Sequence, residues 1–155
     1  PYTTLFRSRS AGYRAAFEKQ TPWSVANLDR MRQPIRRVCA VQAVTGFGSG
    51  SHAVVLPLAA AAEAPVAGAE RAGRQLAEQA GFVQSYLLVP DATLSTPLPR
   101  EATEGRVLQP MLVVETSSAD AARAARATAA AALDADPATG WLLALGWKLS
   151  AAELR

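Results

Sequence analysis

Ala80-Gly81-Phe82-Val83-Gln84-Ser85-Tyr86-Leu87-Leu88-Val89-Pro90-Asp91 reads as a strand held between two stops. Gly81 stands where a helix C-terminus wants a left-handed residue. Pro90-Asp91 closes the run with a missing amide donor and a turn former. Upstream, Pro65 to Gln79 carries Val66, Ala69, Gly73 and Leu76 at helical spacing, with Ala80 extending the stripe. Glu70 and Arg74 form an i, i+4 pair on its wet flank. Before that helix, Ser51 to Leu58 reads as another strand, in which Pro57 implies an edge position or an end to pairing.

Downstream, Asp91 to Arg106 is a sixteen-residue connection containing Pro97, Pro99 and Gly105, long enough to suggest a lid or a disordered stretch. Val107 to Ser117 returns as a strand, with Pro110 near its start. Ser118 is an N-cap candidate and Asp120 lies in the first turn of an alanine-rich helix, Ala119 to Leu133. Arg123 and Arg126 fall on its outer side, and Asp134-Ala135-Asp136-Pro137 ends it. In the last strand, Trp141 to Leu149, the residues Trp141, Leu143, Leu145, Trp147 and Leu149 alternate onto one face.

The order from His52 is strand, helix, strand, strand, helix, strand. This predicts an α+β class and a ferredoxin-like β-α-β-β-α-β antiparallel sheet with both helices on one face. Alanine makes up roughly a fifth of the chain, well above ordinary usage. On helix faces such small residues allow close approach to a sheet.

An N-terminal helix and strand precede this core. Tyr13 to Arg32 reads as helix broken at Pro22, with Thr21 as N-cap and Tyr13 and Phe17 on one face. Ile35 to Val44 reads as a strand. Gly46-Phe47-Gly48-Ser49-Gly50-Ser51 lacks the spacing of a phosphate-binding loop and is expected to be a flexible hairpin connection. Residues 1–8, PYTTLFRS, resemble the conceptual translation of a sequencing-library adapter and are set aside as an artefact. On this reading 9–51 is a helix-strand segment, a remnant of a truncated domain, and 52–155 is the ferredoxin-like domain.

Charge is uneven. Residues 1–37 hold eight basic and two acidic side chains, whereas the remainder holds eight basic and eleven acidic, within an overall +3. Arg30, Arg32, Arg36 and Arg37 form the one basic cluster, and no aromatic platform or binding motif accompanies it. We therefore expect a solvated helix end and no nucleic-acid partner. No apolar run is long enough for a membrane span, and the expected location is cytoplasmic. Cys39 is the single cysteine, which forbids an internal disulfide or a cysteine-based zinc cluster; it reads as a buried, inert thiol.

The run Ala80 to Leu88, the long loop, the following strand, Glu115-Thr116-Ser117-Ser118 and the second helix resemble the dimeric α+β barrel superfamily. That group includes EthD-like and antibiotic-biosynthesis-monooxygenase-like domains. The upstream Phe17 to Trp23 and Pro34 to Arg37 resemble its first helix and second strand. There the family often carries a histidine, where this chain has Gln20-Thr21-Pro22. The two matches imply different registers. Either 52–150 is one complete domain, which we prefer because it accounts for six elements, or 11–90 is a domain lacking its first strand. The resemblance implies a homodimer whose paired sheets enclose a small apolar or aromatic ligand.

His52 is the only histidine, so a Ser-His-Asp triad or a two-histidine metal site cannot form within one chain. Asp134 and Asp136 lack further ligands at calcium-loop spacing, so no metal or cofactor is expected. The candidate catalytic residues are His52, Glu115 and Tyr86; the candidate ligand-binding residues are Trp141, Trp147 and Tyr86. Three function classes follow: a cofactor-independent, monooxygenase-like enzyme of secondary or degradative metabolism, a non-catalytic ligand-binding or regulatory module, and a homodimerisation domain.

Overall fold

The computed structural model describes residues 10–32, 35–59, 65–97 and 101–147. Residues 1–8, Gln33, Pro34, Leu149 and the side chains of Tyr13 and Phe17 lie outside the described set. The elements in chain order are α1 (Ala11–Glu18), α2 (Pro22–Arg30), β1 (Cys39–Gly46), β2 (His52–Pro57), α3 (Pro65–Ala77), β3 (Phe82–Pro90), β4 (Met111–Thr116), α4 (Ala119–Leu133), a short 3-10 turn (Pro137–Thr139) and β5 (Trp141–Ala144). The class is α+β.

The strands form one sheet in the order β1-β3-β4-β2-β5. β2 is antiparallel to both β4 and β5, and β3 is antiparallel to β4. β1 runs antiparallel to β3, since Phe47 N–H donates to Val83 C=O at one end and Asp91 N–H to Val38 C=O at the other. By contacts the chain divides into two compact units, one combining Pro1–Val41 with Val89–Gln109, the other combining Gln42–Leu88 with Pro110–Arg155. In this partition residues 42–51 group with the larger unit and the 89–109 stretch with the N-terminal segment.

In the larger unit, Val54, Leu56, Ser85, Leu87, Leu112, Val114 and Thr116 are buried at alternate strand positions and define the sheet face that meets α3 and α4. α3 buries Gly68, Ala69, Ala72, Gly73 and Leu76, and α4 buries Ala122, Ala125, Ala129 and Ala130. Ala69, Gly73 and Leu76 match the expected stripe. Ala80 does not, for it falls beyond the last helical turn and is exposed. The small residues set the helix–sheet distance. A Cβ on Gly73 would run into the Thr45 side chain of β1 and lie 3.2 Å from Ser85 Oγ of β3.

The ends of these helices follow their sequence signals. Ser118 caps α4 by accepting from Ala121 N–H, and Asp134 closes it in the left-handed region at φ 50°. Gly81 also adopts the left-handed conformation, at φ 82°. Asp136 caps the 3-10 turn, so the Asp134/Asp136 pair serves chain termination.

Two expectations are corrected in this unit, and a third resolves to one of its two alternatives. The Gly46–Ser51 loop is not a hairpin connection, because β1 and β2 are separated by β3 and β4. It crosses the ends of both intervening strands, Phe47 N–H bonding Val83 C=O and Ser51 Oγ donating to Ser117 C=O at 2.8 Å. Its glycines make that course possible: a Cβ on Gly50 would stand 2.5 Å from Thr116 O and 2.6 Å from Thr116 N. β2 is an interior strand; Pro57 ends its pairing and has no partner on β5, whose register stops at Val55. β5 spans Trp141–Ala144 only, so Leu145 and Trp147 lie beyond the strand.

In the smaller unit the helix expected from Tyr13 to Arg32 is two helices. Thr21 Oγ1 accepts from Ser24 N–H and Pro22 occupies the first turn of α2, none of whose residues is buried. The strand expected from Ile35 begins only at Cys39, because side chains take the backbone amides before it. Arg36 N–H donates to Glu101 Oε2 at 3.0 Å, and Val38 N–H to Ser95 Oγ at 3.0 Å.

The same contacts tie residues 91–97 and 101–106, against the lid-or-disorder expectation for Asp91–Arg106, whose residues 98–100 lie outside the described set. Buried Glu101 pairs with Arg106 Nε. Arg106 Nη2 donates to the carbonyls of Arg36 and Ser95, each at 2.7 Å. Arg36 in turn donates to Leu94 C=O at 2.6 Å and to Thr96. Arg36 is therefore a structural cation, not part of a solvated helix end. Its charge satisfies loop carbonyls that would otherwise be stranded.

Candidate functional site

Strand alternation and register place the sheet residues facing away from α3 and α4 in three cross-strand rows. The first is Gln84–Glu115–Ala53–Leu143, the second Tyr86–Val113–Val55–Trp141, and the third Leu88–Met111–Pro57. Val113 is only 6% exposed, flanked in register by Tyr86 and Val55, whereas Trp141 and Leu143 are about half exposed. In the first two rows exposed apolar surface is thus concentrated at the β5 end.

Glu115 is the polar centre of the first row. Its Oε2 accepts from Gly50 N–H at 2.8 Å, and its Oε1 from Gln84 Nε2 at 2.9 Å and Tyr86 Oη at 3.3 Å. The Gly50 bond depends on the loop crossing described above, and the other two follow from residues 84 and 86 sharing one face of β3. Burial pushes the Tyr86 phenol above its ordinary pKa, and the Glu115 charge and hydrogen bond push it further. Tyr86 consequently holds its proton and directs it at Glu115.

A cavity of about 350 Å³ opens beside this carboxylate. Ala53, Glu115 and Leu143 supply neighbouring positions of one row to it; Ser49 and Gly50 of the crossing loop, His52, Ala144, Leu145 and Gly146 complete the lining. All of these belong to the larger unit.

The three candidate catalytic residues are only partly brought together. Glu115 and Tyr86 meet directly. His52 begins β2 opposite Thr116 and alternates onto the helix-facing side, one residue out of phase with Ala53. Its Nδ1 lies 3.0 Å from Ser51 Oγ. It reaches the cavity beside Glu115 and also lines a second, 230 Å³ cavity with Ala119, Ala122, Arg123 and Leu142–Ala144.

The ligand-binding candidates are spread as well. Tyr86 and Trp141 share the second row but are separated by two strands, roughly 14 Å of sheet. Trp147 is 78% exposed beyond β5. Gln84 and Gly50 were missed as site residues. Gln84 was legible as the same-face neighbour of Tyr86, but a loop amide aimed at a strand carboxylate has no sequence signature.

Cys39 is half-buried at the start of β1. Desolvation raises its thiol pKa while Arg37 opposes the shift, so it stays protonated near neutrality. Among the described residues no cluster of three or more His, Cys, Asp or Glu side chains is gathered to hold a metal, and no helix is long and apolar enough to cross a membrane.

The chain matches no protein-family model, no curated protein and no solved structure.

Proposed function

We propose that this protein is a ferredoxin-like domain of the dimeric α+β barrel type, a homodimer that binds a small apolar or aromatic molecule against the sheet face carrying Glu115 and Tyr86. The observation that carries the reading is the cavity beside Glu115, with one oriented carboxylate set in an otherwise largely apolar lining. The strand order β5-β2-β4-β3, with β1 added beyond β3, accords with a ferredoxin-like core starting at His52. Trp141, Leu143, Leu145 and Trp147 add exposed apolar surface of the kind that marks an association site.

Binding without catalysis is the better-supported form of this reading. A proton-transfer site needs a donor and an acceptor aimed at the same reacting atom. Here Tyr86 spends its proton on Glu115, and His52, which lines the same cavity, has Nδ1 engaged with Ser51 Oγ and makes no hydrogen bond to Glu115.

Sedimentation velocity at micromolar concentration tests the assembly. A dimer is expected, and Trp141→Asp with Leu143→Asp should convert it to a folded monomer. A monomeric wild type would overturn the homodimer. Titration with 2-naphthylmethanol, followed by tryptophan fluorescence, tests the ligand site, and absence of saturable binding would overturn it.

A further inference from the structure

Glu115 carries a full charge that its surroundings orient without neutralising. Its three partners, the Gly50 amide, the Gln84 carboxamide and the Tyr86 phenol, are all neutral donors. Neither described ion pair, Arg106–Glu101 nor Arg123–Asp120, involves it, and among the described residues no cationic side chain is paired with it. Both oxygens accept hydrogen bonds, which is the pattern of an ionised carboxylate. Such a group offers about four acceptor positions, and these three donors leave room for one more.

The surroundings select what that fourth donor is. The cavity offers Ala53, Leu143, Ala144 and Leu145 as apolar lining, with the carboxylate at one side of it and Ser49 and His52 as the other polar side chains. A partly buried charge facing apolar surface is costly until a counter-charge or a strong donor reaches it. A cation of the right size gains a charge-assisted hydrogen bond, while its hydrocarbon frame covers the remaining lining.

From this geometry we infer that the cavity recognises a primary or secondary ammonium group carried on a flat apolar frame, with Glu115 as its counter-ion. The inference rests on the ligand-binding reading above and narrows that ligand from apolar or aromatic to cationic. Gln84, Tyr86 and Gly50 are positioning residues, which hold the carboxylate so that its remaining acceptor position faces the cavity.

The test compares 2-naphthylmethylammonium with its neutral isostere 2-naphthylmethanol by calorimetric titration of the full chain in low-salt buffer. The ammonium probe should bind about tenfold tighter or better, as expected for a hydrogen bond to a charged group. That preference should shrink as salt is raised. Glu115→Gln should abolish the preference.

Ala53 lies directly opposite Glu115 in register, so Ala53→Lys supplies a tethered ammonium. It should raise Tm and block the ammonium probe, which keeps the test decisive if Glu115→Gln fails to fold. Equal affinity for the two probes in the wild type overturns the charge inference and spares the ligand reading. Failure of both probes overturns the two together. An Ala53→Lys protein that binds the ammonium probe as the wild type does also overturns the inference.

Discussion

The Tyr86 hydroxyl donates to a carboxylate from a half-buried position, and this single bond fixes a measurable property of the protein. Burial first, then the Glu115 charge and hydrogen bond, raise its pKa above that of an unfolded tyrosine. The group therefore contributes stability that is fully present below the unfolded pKa of about 10 and lost as pH rises through the higher folded value. Absorbance titration at tyrosinate wavelengths, with Tyr86→Phe subtracted, should show ionisation above about 10. In Glu115→Gln the same transition should move down, because the carboxylate charge disappears. At this scale the sequence was informative about residue identity and poor about partnership. Tyr86 and Glu115 stood out as candidates on separate strands, yet their contact depends on a one-step diagonal register that no local pattern encodes.

At the scale of elements, the legible features were those made by neighbours along the chain. Thr21-Pro22 starts α2, Ser118 and Asp134 bound α4, and Gly81 turns the chain before β3, all through hydrogen bonds or dihedrals spanning a few residues. Boundaries decided by remote side chains were not legible. Val38 reads as strand from its own β-branched character, but its amide is claimed by Ser95, fifty-seven residues later. The alanine and glycine excess also has its consequence here. With the Gly73 Cα set against Thr45 and Ser85, Gly73→Ala should lower stability by about 1–3 kcal/mol through overpacking, despite the better helix propensity of alanine. Urea denaturation checks the sign: stabilisation would mean that α3 moves off the sheet at no cost.

On the scale of the whole molecule, the sequence placed every strand but not the path between them. The glycine-rich 46–51 segment resembles any flexible connector, and only the sheet order reveals that it spans two strand ends and delivers Gly50 N–H to Glu115. The described residues of the Asp91–Arg106 connection, whose length suggested a lid or disorder, are tied by Glu101, Arg106 and Arg36. Glu101→Gln leaves Arg106 largely buried without its counter-charge and should cost about 3–5 kcal/mol. In hydrogen exchange the amides of Arg36, Val38 and Ser95 should lose protection. Unchanged protection there would assign the ordering of the loop to other contacts.

By itself the amino-acid sequence determined the α+β class, the order of strands and helices from His52 onward, the caps that bound them and the small-residue faces of α3 and α4. Each of these depends on periodicity or on groups within a turn or two of one another. Tertiary structure alone decided which strands are neighbours, that β2 is interior, that His52 shares a cavity with Glu115 without bonding it, and that the carboxylate is held by neutral donors beside that cavity. Those outcomes depend on register and on loop amides meeting strand side chains tens of residues away, where the free energy of a contact follows from three-dimensional placement and not from local pattern.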